Sequence, residues 1–174
     1  MTDIRKIEAA AERLRGHATV TSLLSSPFLD ELAGRQVLVK AECLQKTGSF
    51  KFRGGWSAVT ALSAEQKSRG VIAFSSGNHA QGVALAARTL GVPAVIVMPS
   101  DAPEVKIENT RKLGAEVVLY DRATEDRFAV AERANGDRGL TLIQPFDDEQ
   151  VIAGQGTVGI ELVEQAAVFG INRA

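Results

Sequence analysis

Val71-Ile72-Ala73-Phe74-Ser75-Ser76-Gly77-Asn78-His79-Ala80-Gln81-Gly82 passes from four consecutive apolar residues through a short polar loop into a helical pattern that lasts to Leu90. Gly91 stops that helix and Pro93 opens the next connection. The same unit then recurs. Ala94-Val95-Ile96-Val97-Met98 reads as a second strand, and Pro99, Asp101 and Pro103 open a helix that runs to Leu113 and stops at Gly114. Glu116-Val117-Val118-Leu119-Tyr120 reads as a third strand, followed by a helix over 123–134, a turn at Asn135-Gly136-Asp137 and a fourth strand over 140–143. Strands that are apolar along their whole length, with helices between them, belong to parallel sheets covered on both faces. Residues 70–144 therefore predict an α/β fold, an open parallel sheet with helices on both faces. Ligands of such sheets bind at the carboxyl ends of the strands, beside helix N-termini. That rule points to residues 75–79.

On the N-terminal side, Ile4, Ile7, Ala10, Ala11 and Leu14 mark an amphipathic helix over 3–15, which Gly16 ends. Residues 19–29 are polar and Pro-interrupted and predict an extended connection. A strand is expected within 35–44, with Cys43 as a small buried side chain inside it. A helix is expected from Gly55 through Leu62, and Ser63 caps a second one over 64–69.

Between these elements lies Gln45-Lys46-Thr47-Gly48-Ser49-Phe50-Lys51-Phe52-Arg53-Gly54-Gly55. An amine flanked by Phe50 and Phe52 is partly desolvated, which disfavours its charged form. Such a lysine can attack a carbonyl and hold it as a Schiff base. An ordinary solvated lysine before a helix is the alternative, and this stretch alone leaves it open. In the 75–82 loop, two hydroxyls, a glycine and a helix N-terminus make an anion site suited to one carboxylate or phosphate. The plainer reading is that Ser76 or Asn78 caps the helix. No Gly-Lys-Ser/Thr and no G-x-G-x-x-G accompanies the loop, so it is neither a Walker nor a dinucleotide motif. His79 is a weak general-base candidate, because the dipole of the helix it opens opposes protonation. Residues 144–157 read locally as a loop and helix entry, Trp56 and Phe74 as core, and the charge-rich stretch 122–138 as a solvated helix face.

Composition narrows the function classes. The chain has 174 residues, 45% hydrophobic and 24% charged, with 20 basic against 21 acidic residues. That balance implies no nucleic acid and no anionic membrane as partner. No apolar run approaches the roughly 18 residues that span a bilayer, and the charged start has no signal-peptide core. One cysteine excludes an internal disulfide and fits a cytoplasmic protein. Two histidines and one cysteine cannot build a zinc cluster of the usual soft ligands, so no metal is expected.

Three motifs occur in order: Ser49-Phe50-Lys51-Phe52-Arg53-Gly54, then Ser75-Ser76-Gly77-Asn78-His79-Ala80-Gln81-Gly82, then Pro145-Phe146-Asp147-Asp148 with Val151-Ile152-Ala153-Gly154-Gln155-Gly156-Thr157. Together they resemble the fold-type II enzymes that use pyridoxal 5′-phosphate, which share the tryptophan synthase β-like fold. More specifically, they resemble the branch of threonine/serine dehydratases (ammonia-lyases) and serine racemases. The resemblance implies that Lys51 forms the Schiff base, that Phe50 packs against the cofactor ring and that Asn78 hydrogen-bonds its 3′-hydroxyl. It implies that Ser75, Ser76, Gly77, Asn78 and His79 receive the substrate carboxylate. Ser76 also matches the second acid/base serine of the racemases, on the ring face opposite the lysine. The implied reaction is β-elimination from a β-hydroxy amino acid such as threonine or serine, giving a 2-oxo acid and ammonia. Hydroxyaspartate dehydration and serine racemisation are the alternatives.

The same resemblance divides the chain into 1–67, the N-terminal part of a large domain carrying Lys51; 68–145, a complete small α/β domain; and 146–174, the start of the remaining large-domain part. Members of the family are much longer and usually dimeric or larger homo-oligomers. Their glycine-rich phosphate loop has no counterpart here. The chain on its own is thus expected to bind cofactor poorly and to be inactive, a truncated fragment of such an enzyme.

Overall fold

The computed structural model of the protein describes residues 2–171; residues 172–174 of the segment assigned to 146–174 lie outside them. Its centre is a four-stranded sheet of β3 (Val71–Phe74), β4 (Ala94–Pro99), β5 (Glu116–Tyr120) and β6 (Thr141–Leu142), in the order β5-β4-β3-β6. All three pairings are parallel, with Val71 beside both Ala94 and Thr141, and Val95 beside Glu116. Parallel neighbours need crossovers, and the helices α5 (Asn78–Leu90), α6 (Glu104–Lys112) and α7 (Arg127–Asn135) provide them.

The alternation of side chains along each strand divides the core in two. Val71, Ala73, Ile96 and Met98 face one side and pack with Val83, Ala84 and Ala87 of α5 and Ile107 of α6. Ile72, Phe74, Val95 and Val97 face the other and pack with Val130 and Ala131 of α7. Both faces are covered, as the sequence predicts.

On the α5 side the helices α1 (Ile4–Leu14), α3 (Lys51–Ala61) and α8 (Glu149–Ala166) pack together, and the short α4 (Ala64–Arg69) leads into β3. Ser63 and Gln66 form the capping box of α4. The inner helix α3 lies between α5 and α8, and glycines let the backbones approach. A Cβ on Gly55 would sit 2.8 Å from the Gly82 carbonyl carbon, and one on Gly154 would run into the Arg53 carbonyl oxygen. Trp56 is buried, its indole donating to the Arg13 carbonyl at 2.7 Å and its ring stacked on His17. Among the described residues no helix is long and apolar enough to cross a membrane.

Several local expectations are corrected. Residues 19–29 are not merely extended: they contain β1 (Leu23–Ser25), and Pro27 starts a helix, α2 (Pro27–Ala33), at a position where its missing N–H costs nothing. The strand expected within 35–44 is only β2 (Leu38–Lys40), antiparallel to β1. Cys43 is exposed, on a 3₁₀ turn over Glu42–Leu44. That turn aims Glu42 at the buried Arg53 and carries the next side chain outward. Helix α3 starts at Lys51, four residues before the expected Gly55. Helix α7 starts late because residues 121–126 form a loop closed by their own side chains. Asp121 accepts from the Ala123 amide and Glu125 from the Asp121 amide, and Asp126 then caps the helix.

Candidate active site

Each strand of the sheet delivers residues to one cleft of about 340 Å³ at its carboxyl ends. Phe74, Ser75 and Ser76 follow β3, Pro99 closes β4, Tyr120 and Arg122 end β5, and Pro145 and Phe146 follow β6. Lys51, the first residue of α3, enters from the side, and Arg127, the first residue of α7, from the opposite helix layer. This is where an open parallel sheet binds ligands.

Lys51 is half-buried, and its amine donates to the Pro145 carbonyl at 3.1 Å. It stands 5.3 Å from the centroid of the Phe50 ring, which is itself 39% exposed. Burial pushes the Lys51 amine below the ordinary lysine range, as expected from its neighbours. The amide of Lys51 is held by the Ser49 hydroxyl at 3.2 Å, so the helix begins at a defined point.

The 75–79 loop joins β3 to α5. Neither Ser76 nor Asn78 caps that helix: Gly77 stands at the N-cap and offers no side chain, and Asn78 is the first helical residue. The first-turn amides of α5 are therefore left without a side-chain cap, at the positive end of the helix dipole. Ser75 accepts from the Gly77 amide at 3.1 Å, and Ser76 is exposed on the cleft wall. Asn78 is exposed and its Oδ1 accepts from Lys106 Nζ at 2.9 Å. The His79 ring is turned away from solvent, 2% exposed, with Nε2 3.2 Å from the Ile143 carbonyl. Burial, with the Lys51 charge adding to it, lowers its pKa to about 4. His79 thus contributes a backbone amide to the loop, while its neutral ring secures the end of β6. Lys51, Ser75 and Ser76 share the cleft; Phe50 borders the Lys51 amine; Gly77, Asn78 and His79 open the adjoining helix.

Two features escaped the sequence reading. Arg53 is fully buried and forms paired hydrogen bonds with Glu42 (2.8 and 2.9 Å) and Glu161 (2.6 and 2.8 Å). Lys40 joins through Glu161 at 2.6 Å and the Thr21 carbonyl at 2.6 Å. Burial alone would raise both carboxyls, but hydrogen bonds from Arg53 bring Glu42 and Glu161 below the ordinary range. The network ties α3, two residues after Lys51, to β2 and α8. Its only sequence signal is an arginine beside a Gly-Gly pair. The charge pattern of 122–138 predicts a solvated helix face for Arg127, yet its guanidinium lies 5.1 Å from the Phe74 ring and 5.5 Å from the Phe146 ring, on the cleft wall. Among the described residues it has no carboxylate partner within ion-pair distance. A position opening a helix just after a strand's carboxyl end was the available signal.

Comparison with known proteins agrees with this geometry. Over 155 residues the chain is 54% identical to an L-threo-3-hydroxyaspartate ammonia-lyase from a Pseudomonas species, covering 89% of this chain and 49% of that protein. It is 46% identical over 164 residues to an L-threonine ammonia-lyase of Thermotoga maritima, covering 94% and 41% respectively. The solved structure of maize serine racemase superimposes with a TM-score of 0.92 at 42% identity, covering 95% of this chain and 50% of that one. The chain spans about half the length of the curated relatives it matches. The model of the family described as pyridoxal-phosphate dependent enzyme matches residues 14–171. A lysine opening a helix at the mouth of a parallel-sheet cleft, a loop of uncapped amides and these relatives lead to one conclusion: the chain belongs to the fold-type II branch of the pyridoxal-phosphate dependent enzymes.

Proposed function

We propose that this chain supplies the lysine-bearing half of an ammonia-lyase that removes the β-hydroxyl of a β-hydroxy amino acid to give a 2-oxo acid and ammonia. The observation that carries the reading is the Lys51 amine, depressed by burial, in a cleft it shares with Ser75 and Ser76. The residues fit pyridoxal phosphate: an amine shifted toward its uncharged form, aromatic walls from Phe74, Tyr120 and Phe146, and uncapped amides for an anion. When bound, that group supplies an electron sink for the charge left at the substrate α-carbon. Lys51 anchors it and, once released, takes the α-proton as general base. Phe50 flanks the ring, Asn78 donates to its ring oxygen, and residues 75–79 receive the substrate carboxylate on backbone amides and the Ser75 and Ser76 hydroxyls. Residues 68–145 act as the small domain, with 1–67 and 146–174 belonging to the larger one.

Arg127 supports a second reading, hydroxyaspartate as substrate. A guanidinium with no carboxylate partner, on the same wall as the amine, suits a second carboxylate by a bidentate pair. Ser76, exposed on the cleft wall, supplies the acid/base that racemisation of serine needs. Ammonia and 2-oxo acid release from L-threonine, L-serine and L-threo-3-hydroxyaspartate, with pyridoxal phosphate added, separates the lyase substrates. D-serine formation from L-serine reports the racemase. A preference for hydroxyaspartate that collapses in Arg127→Met supports the second reading. Turnover of none of the three contradicts catalysis by this chain alone.

A further inference from the structure

Asn78 opens α5 next to Ser75 and Ser76 of the cleft, and the two ends of its side-chain amide have opposite chemistry: Oδ1 accepts, Nδ2 donates. Which end is left free decides whether the residue attracts or repels an anionic oxygen. The neighbouring helix resolves the choice. Lys106 Nζ lies 2.9 Å from Asn78 Oδ1, and an ammonium has only donors to offer, so the oxygen end is committed to it. Both amide hydrogens are left uncommitted by that bond.

The lysine is held to do this. Its carbonyl accepts from the Thr110 hydroxyl at 2.8 Å, Thr110 is completely buried, and Ile107 next to it packs into the core. Lys106 is half-buried, and among the described residues no carboxylate competes for its ammonium. A side chain rooted in a buried turn, whose ammonium has Asn78 Oδ1 as its one hydrogen-bond acceptor among the described residues, keeps the amide in one orientation.

We propose that Lys106 is a positioning residue that turns Asn78 into a donor-only group two residues from Ser76, so that the site binds an anionic ring oxygen there more strongly than a neutral hydroxyl. The inference rests on the proposed cofactor reading and adds to it the direction of one hydrogen bond and the residue that sets it. Lys106 itself does not touch the reacting atoms.

The test has two arms. In the ¹⁵N–¹H spectrum of the cofactor-free chain, the Asn78 side-chain amide pair moves in Lys106→Met and returns toward its wild-type position in Lys106→Arg, while backbone amides of α5 stay in place. An Asn78 pair that is unmoved in Lys106→Met overturns the orientation. In the second arm, pyridoxal 5′-phosphate is titrated and trapped on Lys51 with borohydride. Lys106→Met requires about three- to tenfold more of it, the equivalent of one hydrogen bond, and Lys106→Arg does not. In an Asn78→Ala background the Lys106→Met effect vanishes, since it acts only through that amide. Equal titrations of wild type and Lys106→Met, or a full effect persisting without Asn78, overturn the role. A wild-type chain with no Lys51 adduct contradicts the cofactor reading itself, and the role of Lys106 toward the cofactor falls with it.

Discussion

The carbonyl oxygen of Lys51 lies 2.8 Å from the point a Cβ on Gly82 would occupy, so α3 and α5 meet backbone to backbone at the residue that carries the amine. The glycine is needed there for closeness, and both partners are backbone, which cannot swing aside. Gly82→Ala must therefore push the start of α3 away from the sheet. We expect a loss of about 2–4 kcal/mol in urea unfolding, at the upper end of overpacking costs. A variant with the wild-type midpoint would show that the two helices slide freely.

Arg53 satisfies two carboxylates that are only 12% and 17% exposed. Arg53→Met leaves both without their main partner, which costs about 3–5 kcal/mol for a buried pair. Adding Glu42→Gln and Glu161→Gln to that variant removes the stranded charges and recovers part of the loss. Denaturant midpoints of the three chains check this. A triple variant no more stable than Arg53→Met would mean that packing, not charge, sets the cost.

The His79 imidazole resists protonation in the fold, with a pKa of about 4 against an ordinary 6.5. A depressed histidine binds its proton more readily when unfolded, so its stabilising contribution is complete above pH 6.5 and is lost as the pH falls toward 4. The full loss is about 3 kcal/mol. The carboxyls of Glu42 and Glu161 titrate below their ordinary 4.5, so the upper part of this window belongs to His79. Thermal midpoints measured between pH 7 and 4.5 should fall for the wild type and stay flatter for His79→Asn. Parallel curves would contradict the assignment.

What the sequence made legible was whatever has a short period or a compact motif. The four strands and their crossovers follow from uninterrupted apolar runs, and the position of residues 75–79 at a strand's carboxyl end follows from the same pattern. Contacts distant along the chain were not readable. Arg53 reaches Glu42 and Glu161 across gaps that no periodicity marks, and the turn that aims Glu42 inward is what puts Cys43 outside. Arg127 looked like one more charge on a polar helix. Only the folded sheet shows that the start of α7 overhangs the cleft.

The central claim is that Lys51 is the residue that bonds pyridoxal phosphate. Incubating the chain with pyridoxal 5′-phosphate, reducing with borohydride and mapping the modified peptides by mass spectrometry tests it directly. Labelling should concentrate on Lys51 at neutral pH, where its buried amine is uncharged more often than a solvated one, and should disappear from that peptide in Lys51→Ala. Label spread evenly over the exposed lysines, with Lys51 unmodified, would contradict the claim.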